Sequence, residues 1–238
     1  MPAEAAALRA ALAATWPAAE TVRLGSWTLR RGAGGGSRVS AATLDGPVGD
    51  PVEAEAAMLG WGQRPLFRIG PGEDALDALL AARGYTLLDP TLVLAAPVAA
   101  LGVPAGTEAA IFGPAPLACM TEIWAAGGVG ASRLAVMARV PEPRTYILGR
   151  LGDRPAGCGF VATHGSVAML HALEVAPAAR RQGLGAQMTL GAAAWARTRG
   201  AATLALAVTR GNAAALGLYR RLGLAEADWY HYRVAPQG

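Results

Sequence analysis

The feature that most constrains this fold is an abrupt strand-to-helix junction in the second half of the chain. The run VAMLHALEV (167–175) is typical of a buried strand, and residues 183–199 carry apolar side chains at helical spacing up to Gly200. Only a short turn containing RRQGLG (180–185) separates them. A further strand pattern follows at 202–208. This order predicts a strand–helix–strand crossover in a sheet that is covered by helices.

The segments around this junction extend the prediction to a mixed sheet. A meander is predicted at 145–151 and 157–163, running into the strand at 167–175. Upstream of it, the sequence predicts a strand at 107–112 and helices at 115–126 and 131–139. Downstream, Asn212 is a good N-cap for a helix that ends at Gly223, and DWYHYRV is the last strand. We therefore predict an α+β fold.

The chain repeats its own plan. Residues 65–95 and 203–235 both give strand, glycine-containing turn, helix, glycine stop and strand, with almost equal spacing. This predicts two related halves, a first domain over 1–98 and a second over 107–238, joined within the Pro/Gly/Ala-rich stretch 96–106. The start of the chain predicts an amphipathic helix with Leu8, Leu12 and Trp16 on one stripe.

Composition excludes several classes of protein. The net charge is +4 and every basic residue is arginine, which rules out a lysine nucleophile or Schiff base. The arginines are scattered, which argues against nucleic acid and suits a small anionic ligand. No apolar stretch is long enough to span a bilayer, and the N-terminus lacks a signal-peptide pattern. The two cysteines and three histidines show no metal-binding spacing, so we expect a cytoplasmic protein without a metal.

The junction itself has the properties of an anion site. The first N–H groups of a helix have no intrahelical partner and lie at the positive end of its dipole. Gly183 and Gly185 keep side chains away from the tightest part of the turn, while Arg180, Arg181 and Gln182 add charge and donors. The preceding strand, which ends at Val175, offers a backbone edge to an amide-bearing ligand. A diphosphate on a flexible amide arm describes coenzyme A.

These residues resemble the GNAT acyltransferases, whose pyrophosphate loop has the pattern Q/R-x-x-G-x-G/A. RRQGLG places Arg180, Gly183 and Gly185 on that pattern, and the family's Asn and Tyr fall on Asn212 and Tyr219. The resemblance covers about 107–235 and implies an acetyl-CoA-dependent N-acetyltransferase. The cofactor-binding residues that it implies are Leu173, Val175, Arg180, Arg181, Gln182, Gly183, Leu184, Gly185, Ala186, Asn212, Ala215 and Tyr219. The first half resembles a degenerate copy, as in tandem GNAT proteins, because its corresponding loop, GPVGDPVEAE, is acidic and would repel a diphosphate.

Acyl transfer to an amine requires a proton acceptor and a donor for the leaving thiolate. His171 is the first candidate base, since LHALEV resembles the histidine-bearing strand of serotonin N-acetyltransferase. Glu174 is the second, although strand alternation puts it on the opposite face from His171 unless a bulge intervenes. The family implies an oxyanion contact from the Val175 N–H and thiolate protonation by Tyr219.

Other interpretations remain open from the sequence alone. The glycines also suit a plain tight turn, His171 a satisfied core histidine, Asn212 a simple cap and Tyr219 ordinary packing. GGVGAS (127–132) lies between two predicted helices and suits a substrate loop better than a nucleotide loop. The alternative functions are a non-catalytic acyl-CoA sensor and a Rossmann-type enzyme, whose glycine signature fails at Met188. The acceptor is expected to be a small amine or a protein N-terminus, and the protein a monomer or homodimer.

Overall fold

The computed structural model describes residues 2–103 and 110–237, and for residues 2 and 3 the backbone only. In chain order the helices and strands are α1 (Pro2–Ala14), β1 (Glu20–Leu24), β2 (Trp27–Arg31), β3 (Thr43–Leu44), α2 (Val52–Gly60), β4 (Leu66–Ile69), α3 (Asp74–Ala82), β5 (Thr86–Pro97), β6 (Ala110–Gly113), α4 (Ala118–Ala126), α5 (Ala131–Arg139), β7 (Arg144–Leu151), β8 (Arg154–His164), β9 (Val167–Val175), α6 (Leu184–Thr198), β10 (Thr203–Thr209), α7 (Ala213–Arg221) and β11 (Ala225–Val234).

Most of these strands form one mixed sheet in the order β4-β11-β5-β10-β9-β8-β7-β6. The strands β6 to β9 are an antiparallel meander, whereas β9 and β10 run parallel and are joined by α6. This confirms the predicted α+β fold, and the meander excludes the all-parallel sheet of a Rossmann enzyme. The predicted strand at 107–112 corresponds to β6, except that residues 107–109 lie outside the described residues.

The two copies of the repeated plan exchange their last strands. The first copy is β4–α3–β5 and the second is β10–α7–β11, as the spacing predicts. In the sheet, β5 of the first copy lies between β10 and β11, and β11 of the second copy lies between β4 and β5. Each last strand therefore pairs with the two strands of the other copy. Gly84 and Gly223 follow the two helices with φ of 82° and 95°, the left-handed conformation expected after a helix C-terminus.

Helices cover both faces of this sheet. On one face, α6 and α7 bury Met188, Leu216 and Tyr219 against the C-terminal strands, and α2 and α3 cover the first-half strands. On the other face, α1 and α4 bury Leu12 and Trp124. As predicted, three apolar side chains near the start of the chain are buried. Leu8 and Leu12 lie in α1, and Trp16 lies two residues beyond its end. No helix among the described residues is long and apolar enough to cross a membrane.

The sequence did not predict the elements that precede residue 65, apart from α1. The strands β1, β2 and β3 form a separate three-stranded sheet, which is joined to β4 by a parallel bridge from Ala42 to Phe67. The helix α2 begins within the acidic segment that we expected to replace a phosphate loop, so that Glu53 and Glu55 lie in its first turn. The first half thus keeps the helix but not the basic junction.

A charged cluster joins the exchanged strand β11 to the helix α3 of the first half. Asp77 accepts hydrogen bonds from Arg233 Nε (2.7 Å) and Nη2 (2.8 Å), and its Oδ1 lies 2.7 Å from His231 Nε2. These contacts, led by the bond from Arg233, lower the pKa of Asp77 from 3.8 to about 2. Since the folded pKa lies below the ordinary one, the cluster stabilises the protein above pH 3.8 and loses its effect as the pH falls toward 2.

We predict that Asp77→Asn lowers the free energy of unfolding by about 2 kcal/mol at pH 7, in urea denaturation. The difference from the parent protein should vanish between about pH 4 and pH 2. Asp153→Asn is the matched control, because Asp153 pairs with Arg150 while fully exposed to solvent. If both substitutions changed the free energy of unfolding equally, the contact of Asp77 with β11 would not stabilise the association of the two halves.

Candidate functional site

The centre of the candidate site is the place where two parallel strands separate. The strands β9 and β10 pair from Val167 with Thr203 to Leu170 with Leu206 and no further, although β9 continues to Val175 and β10 to Thr209. The two strand ends therefore diverge and leave backbone groups without a partner across the gap. A split of this kind is a natural binding cleft at the carboxyl ends of parallel strands.

The predicted anion loop lies beside this gap and has free backbone donors. In the part of the chain that the structure describes, five successive N–H groups form no hydrogen bond: those of Arg181, Gln182, Gly183, Leu184 and Gly185. The helix α6 also lacks a side-chain N-cap. Arg181 and Gly183 have φ of 65° and 82°, so the chain alternates through the left-handed region, which turns neighbouring N–H groups inward around an anion. The loop side chains from Arg180 to Gln182 are exposed.

The two glycines of this loop are required for different structural reasons. Gly183 needs its left-handed φ of 82°, and a methyl group there would meet open space. At position 185 a methyl group would lie 3.1 Å from Leu218 Cδ2 and 3.8 Å from Val175 Cγ2. Gly185 therefore allows α6 to approach α7 and the end of β9. Both glycines are explained by the fold, so the free amides carry the argument for a ligand.

The end of β9 turns its peptide groups into the gap. Ala176 N donates to Ala156 O (2.9 Å), and Val175 is the next residue of the ladder with β8. Because hydrogen-bonded and non-hydrogen-bonded pairs alternate in an antiparallel ladder, the N–H and C=O of Val175 point away from β8, toward the gap. Arg180 Nε donates to the Val175 carbonyl oxygen (3.0 Å) and so ties the loop to the strand end.

A β-bulge decides where Glu174 lies. Cys158 pairs with Glu174 and Phe160 with His171, so two residues of β9, Ala172 and Leu173, face a single residue of β8. Ala172 has φ of 47°, and its carbonyl oxygen accepts a hydrogen bond from Trp124 Nε1 (2.8 Å). The extra residue brings Glu174 to the same face of the sheet as His171. The simple alternation that we expected from the sequence is thus broken.

The carboxylate of Glu174 is half-buried at the edge of the cleft. Its Oε1 accepts a hydrogen bond from Arg180 Nη2 (3.1 Å). On its other side is the loop between α4 and α5, where a methyl group at position 127 would lie 2.6 Å from the carboxyl carbon. Gly127 therefore lets this loop close against Glu174. The segment 127–132, which we expected to border the acceptor, does reach the predicted site.

His171 lies in a different, enclosed environment. It is 3 % exposed, and its ring packs against Trp16 with centroids 4.9 Å apart. Thr15 Oγ1 donates to Ala11 O (2.6 Å) and therefore accepts from His171 Nε2 (2.8 Å). The other ring nitrogen, Nδ1, then accepts from Arg38 Nη1 (3.3 Å).

These contacts fit only a neutral imidazole whose lone pair is already used. Burial, followed by the charge of Arg38, lowers the pKa of His171 well below 6.5. The geometry therefore disfavours His171 as a base and makes it a contact between α1, the segment around Arg38 and β9.

The remaining predicted residues gather on the α6 and α7 side. Tyr219 is 7 % exposed, and its hydroxyl has no hydrogen-bond partner among the described residues. The hydroxyl oxygen is still in contact with solvent. Among the described residues, the side-chain nitrogen and oxygen atoms that are both fully buried and unpaired are Arg38 Nε and Arg139 Nε. Burial raises the pKa of Tyr219 to about 12. Packed into or against the same core cluster as Tyr219 are Leu173, Val175, Leu184 and Ala215.

Asn212 behaves as a helix cap. Its Oδ1 accepts a hydrogen bond from Ala215 N (3.1 Å), which fixes the start of α7. Its side-chain NH₂ remains available at an exposed position. The structure thus brings the loop, the β9 end and α7 together, while His171 lies apart from them. Sequence patterns gave no signal for Thr15 and Arg38 beside His171, because both contacts come from distant segments.

Both the sequence and the fold of this chain were compared with those of known proteins. Residues 115–224 match the model of the Acetyltransferase (GNAT) family. A sequence comparison with curated proteins finds no match. The matched residues include the loop, the diverging strands and both helices that border them.

Solved structures of similar fold span almost the whole chain. A GCN5-related N-acetyltransferase from Kribbella flavida has a TM-score of 0.70 at 23 % identity and covers 98 % of this chain and 95 % of its own. A GCN5-related N-acetyltransferase from Sphaerobacter thermophilus has a TM-score of 0.58 at 13 % identity, covering 90 % and 78 %. A tandem GNAT protein from the clavulanic acid biosynthesis pathway has a TM-score of 0.61 at 15 % identity, covering 95 % and 87 %. At these identities the likeness concerns the fold, including its first half.

We predict that the ring of His171 stays neutral between pH 8 and pH 5, because its lone pair faces Arg38 and the ring is buried. Nitrogen-edited NMR of the imidazole, with His171→Gln to assign the signal, measures this directly. A midpoint near 6.5 would contradict the enclosed, neutral state. Since the folded pKa lies below the unfolded one, this histidine should lower stability as the pH falls below about 6.5.

Proposed function

Because residues 115–224 of this chain belong to the GNAT acetyltransferase family, we propose that the protein transfers an acetyl group from acetyl-CoA to a primary amine. The observation that carries the proposal is the row of five free N–H groups from Arg181 to Gly185, at the start of α6 and beside diverging strands. A free row of donors at a helix N-terminus suits a diphosphate. The corresponding loop of the first half is acidic and would repel a diphosphate, which supports one cofactor site, in the second half.

The residues present fit coenzyme A. The free amides and the exposed Arg181 would hold the diphosphate, and the outward carbonyl group of Val175, which also accepts from Arg180, would hold the amide arm. Leu173 and Ala215 would supply the apolar walls, and the NH₂ of Asn212 a further donor. When bound, the cofactor supplies an activated acyl thioester. Part of the rate would come from holding the thioester and the amine together.

Glu174 is the proposed proton acceptor. A primary amine with a pKa near 10.4 reaches the site as an ammonium ion and has to lose a proton. The Glu174 carboxylate lies at the end of β9, against the α4–α5 loop, and Arg180 Nη2 holds one of its oxygens. The second oxygen can take the proton directly or through water. His171 cannot do this in the observed arrangement, because Arg38 occupies its lone pair.

Tyr219 is the proposed hydrogen-bond donor to the leaving sulfur. With its pKa raised to about 12, the phenol keeps its proton at Oη at neutral pH. Complete transfer to a thiolate whose thiol has a pKa near 8.5 is uphill, so the main effect of Tyr219 is to stabilise that charge with a hydrogen bond. The Val175 N–H, which points into the gap, would stabilise negative charge on the acyl oxygen. The acceptor class that we propose is a small amine or a protein N-terminus, approaching past residues 127–132.

We predict that Gly183→Val weakens coenzyme A binding at least tenfold in isothermal titration calorimetry. A β-branched residue cannot keep φ of 82° without strain, so the loop amides would turn away from the ligand. Gly152→Val is the matched control, because Gly152 also has a positive φ (57°) and open space around it, in the β7–β8 turn. Unaltered affinity in Gly183→Val would refute the loop assignment.

We also predict that Glu174→Gln lowers kcat by about 10²–10⁴-fold in a CoA-release assay across a panel of amines. Glu226→Gln is its control, since Glu226 is an exposed carboxylate that also pairs with an arginine, Arg220.

In the same assay Tyr219→Phe should lower kcat with unchanged coenzyme A affinity. Tyr146→Phe, in the core cluster on the opposite face of the sheet, should leave kcat unchanged. A large loss of rate in His171→Gln, with Glu174→Gln active, would reverse the assignment.

The same assay separates an enzyme from an acyl-CoA sensor. Tight coenzyme A binding without turnover on any amine, confirmed by mass spectrometry of the mixtures, would identify a sensor. The unpaired hydroxyl of Tyr219 and the carboxylate of Glu174 beside the cleft favour the enzyme, because a sensor needs neither group.

A further inference from the structure

The first half contains a cavity in the position that corresponds to the acceptor side of the second half. Like β9 and β10, the chain at Ala42 runs parallel to β4, with Ala42 N donating to Leu66 O (2.8 Å) and Arg68 N to Ala42 O (2.9 Å). Beyond this bridge the segments diverge, because β3 pairs with β2 and β4 continues to Ile69. The divergence repeats, on a smaller scale, the split between β9 and β10.

The cavity occupies this second split, on the face opposite α2 and α3. It has a volume of about 360 Å³ and is closed by α1 and by β11. Arg68 pairs with Tyr232 across the β4–β11 ladder and so shares the α1 face with it, whereas Phe67 packs toward α2 and α3. This volume is in the lower range for sites that hold small molecules.

Two arginines in the cavity wall lack an anionic partner. Arg30 Nη1 donates to neutral oxygens only, those of Ala41 (3.0 Å), Thr43 (3.0 Å) and Thr28 (3.4 Å). The guanidinium of Arg68 forms no hydrogen bond or ion pair with any described residue and lies 5.8 Å from the ring centroid of Tyr230. Burial and the neighbouring charge of Arg68 lower the pKa of Arg30 to about 10. Asp45 and Glu73 line the same cavity but form no ion pair with either guanidinium among the described residues, so a bound carboxylate would offset the cost of holding the two cations close together.

Carboxylates on the same cavity restrict the charge of the ligand. Arg9 and Asp228 neutralise each other in a bidentate pair (2.6 and 3.1 Å). Among the described residues Glu73 accepts from Gly70 N (2.5 Å), whereas Asp45 accepts from the hydroxyl of Thr28 and lies 3.7 Å from Arg23 Nη1 at the surface. A dianion such as phosphate would meet both carboxylates, whereas a molecule with one carboxylate and one ammonium group would complement both kinds of wall.

We propose that this first-half cavity binds a small zwitterion of amino-acid size, with its carboxylate on Arg30 and Arg68 and its ammonium group toward Glu73 and Asp45. The site lies away from the loop at 180–186 and has no row of free amides for a diphosphate. It is therefore a binding site without acyl transfer. The proposal does not depend on the proposed acetyl transfer.

Isothermal titration calorimetry of the full chain with free L-amino acids, without cofactor, tests the site. We expect at least one amino acid to bind saturably at one site per chain, with acetate and methylammonium each binding at least tenfold more weakly. Inorganic phosphate should bind more weakly than that amino acid. Saturable binding by none of the amino acids, or tighter binding by phosphate, would overturn the proposal.

Two substitutions locate the binding. Arg68→Gln should weaken amino-acid binding about tenfold or more, since it removes a charged donor but no contact within the protein other than that with Tyr230. Arg199→Gln is the matched control, because Arg199 lies 5.7 Å from the Trp195 ring at the surface. Glu73→Gln should weaken binding of the amino acid but not of acetate. Binding that survives Arg68→Gln unchanged would place the ligand elsewhere, for example in the second-half cleft, and would refute the site.

Discussion

The backbone hydrogen bonds that hold β5 between β10 and β11 are the constraint on which the rest of the structure depends. Because each copy of the repeat gives its last strand to the other, neither half can complete its part of the sheet alone. The ion pair of Asp77 with Arg233 fixes the same exchange from the helix side. The exchange also sets the positions of both splits in the sheet. Each split is bordered by a strand that pairs with an exchanged strand: β4 pairs with β11, and β10 pairs with β5.

The two splits share one backbone plan but differ in the charges around them, and this difference underlies the two proposals for their ligands. In the second half the divergence of β9 and β10 lies beside a basic loop with free amides, which suits a diphosphate. In the first half the corresponding loop is acidic, and charged side chains gather instead on the opposite face, around Arg30 and Arg68. The backbone plan is shared, and the charge of each loop decides which face can bind a ligand.

The first half also changes the chemistry of the second. The hydroxyl of Thr15 and the guanidinium of Arg38 take both ring nitrogens of His171, and the ring is enclosed against Trp16. These contacts hold the imidazole neutral, because its lone pair faces Arg38 and burial lowers its pKa well below 6.5. The bulge at Ala172 meanwhile moves Glu174 to that face, at the open edge of the cleft. Both observations support the proposal that a carboxylate, and not an imidazole, is the proton acceptor.

The sequence by itself determined the elements of the second half, the internal repeat and the loop at 180–185, because apolar periodicity, glycine stops and caps are local properties of the chain. Asn212 and Gly183 are examples, since a cap and a left-handed φ need only their neighbours. Only the tertiary structure decided the strand exchange, the side of the sheet on which Glu174 lies and the burial of His171. Each of these depends on pairing or contacts between residues distant in sequence, and a single extra residue in β9 reverses the face of every side chain after it.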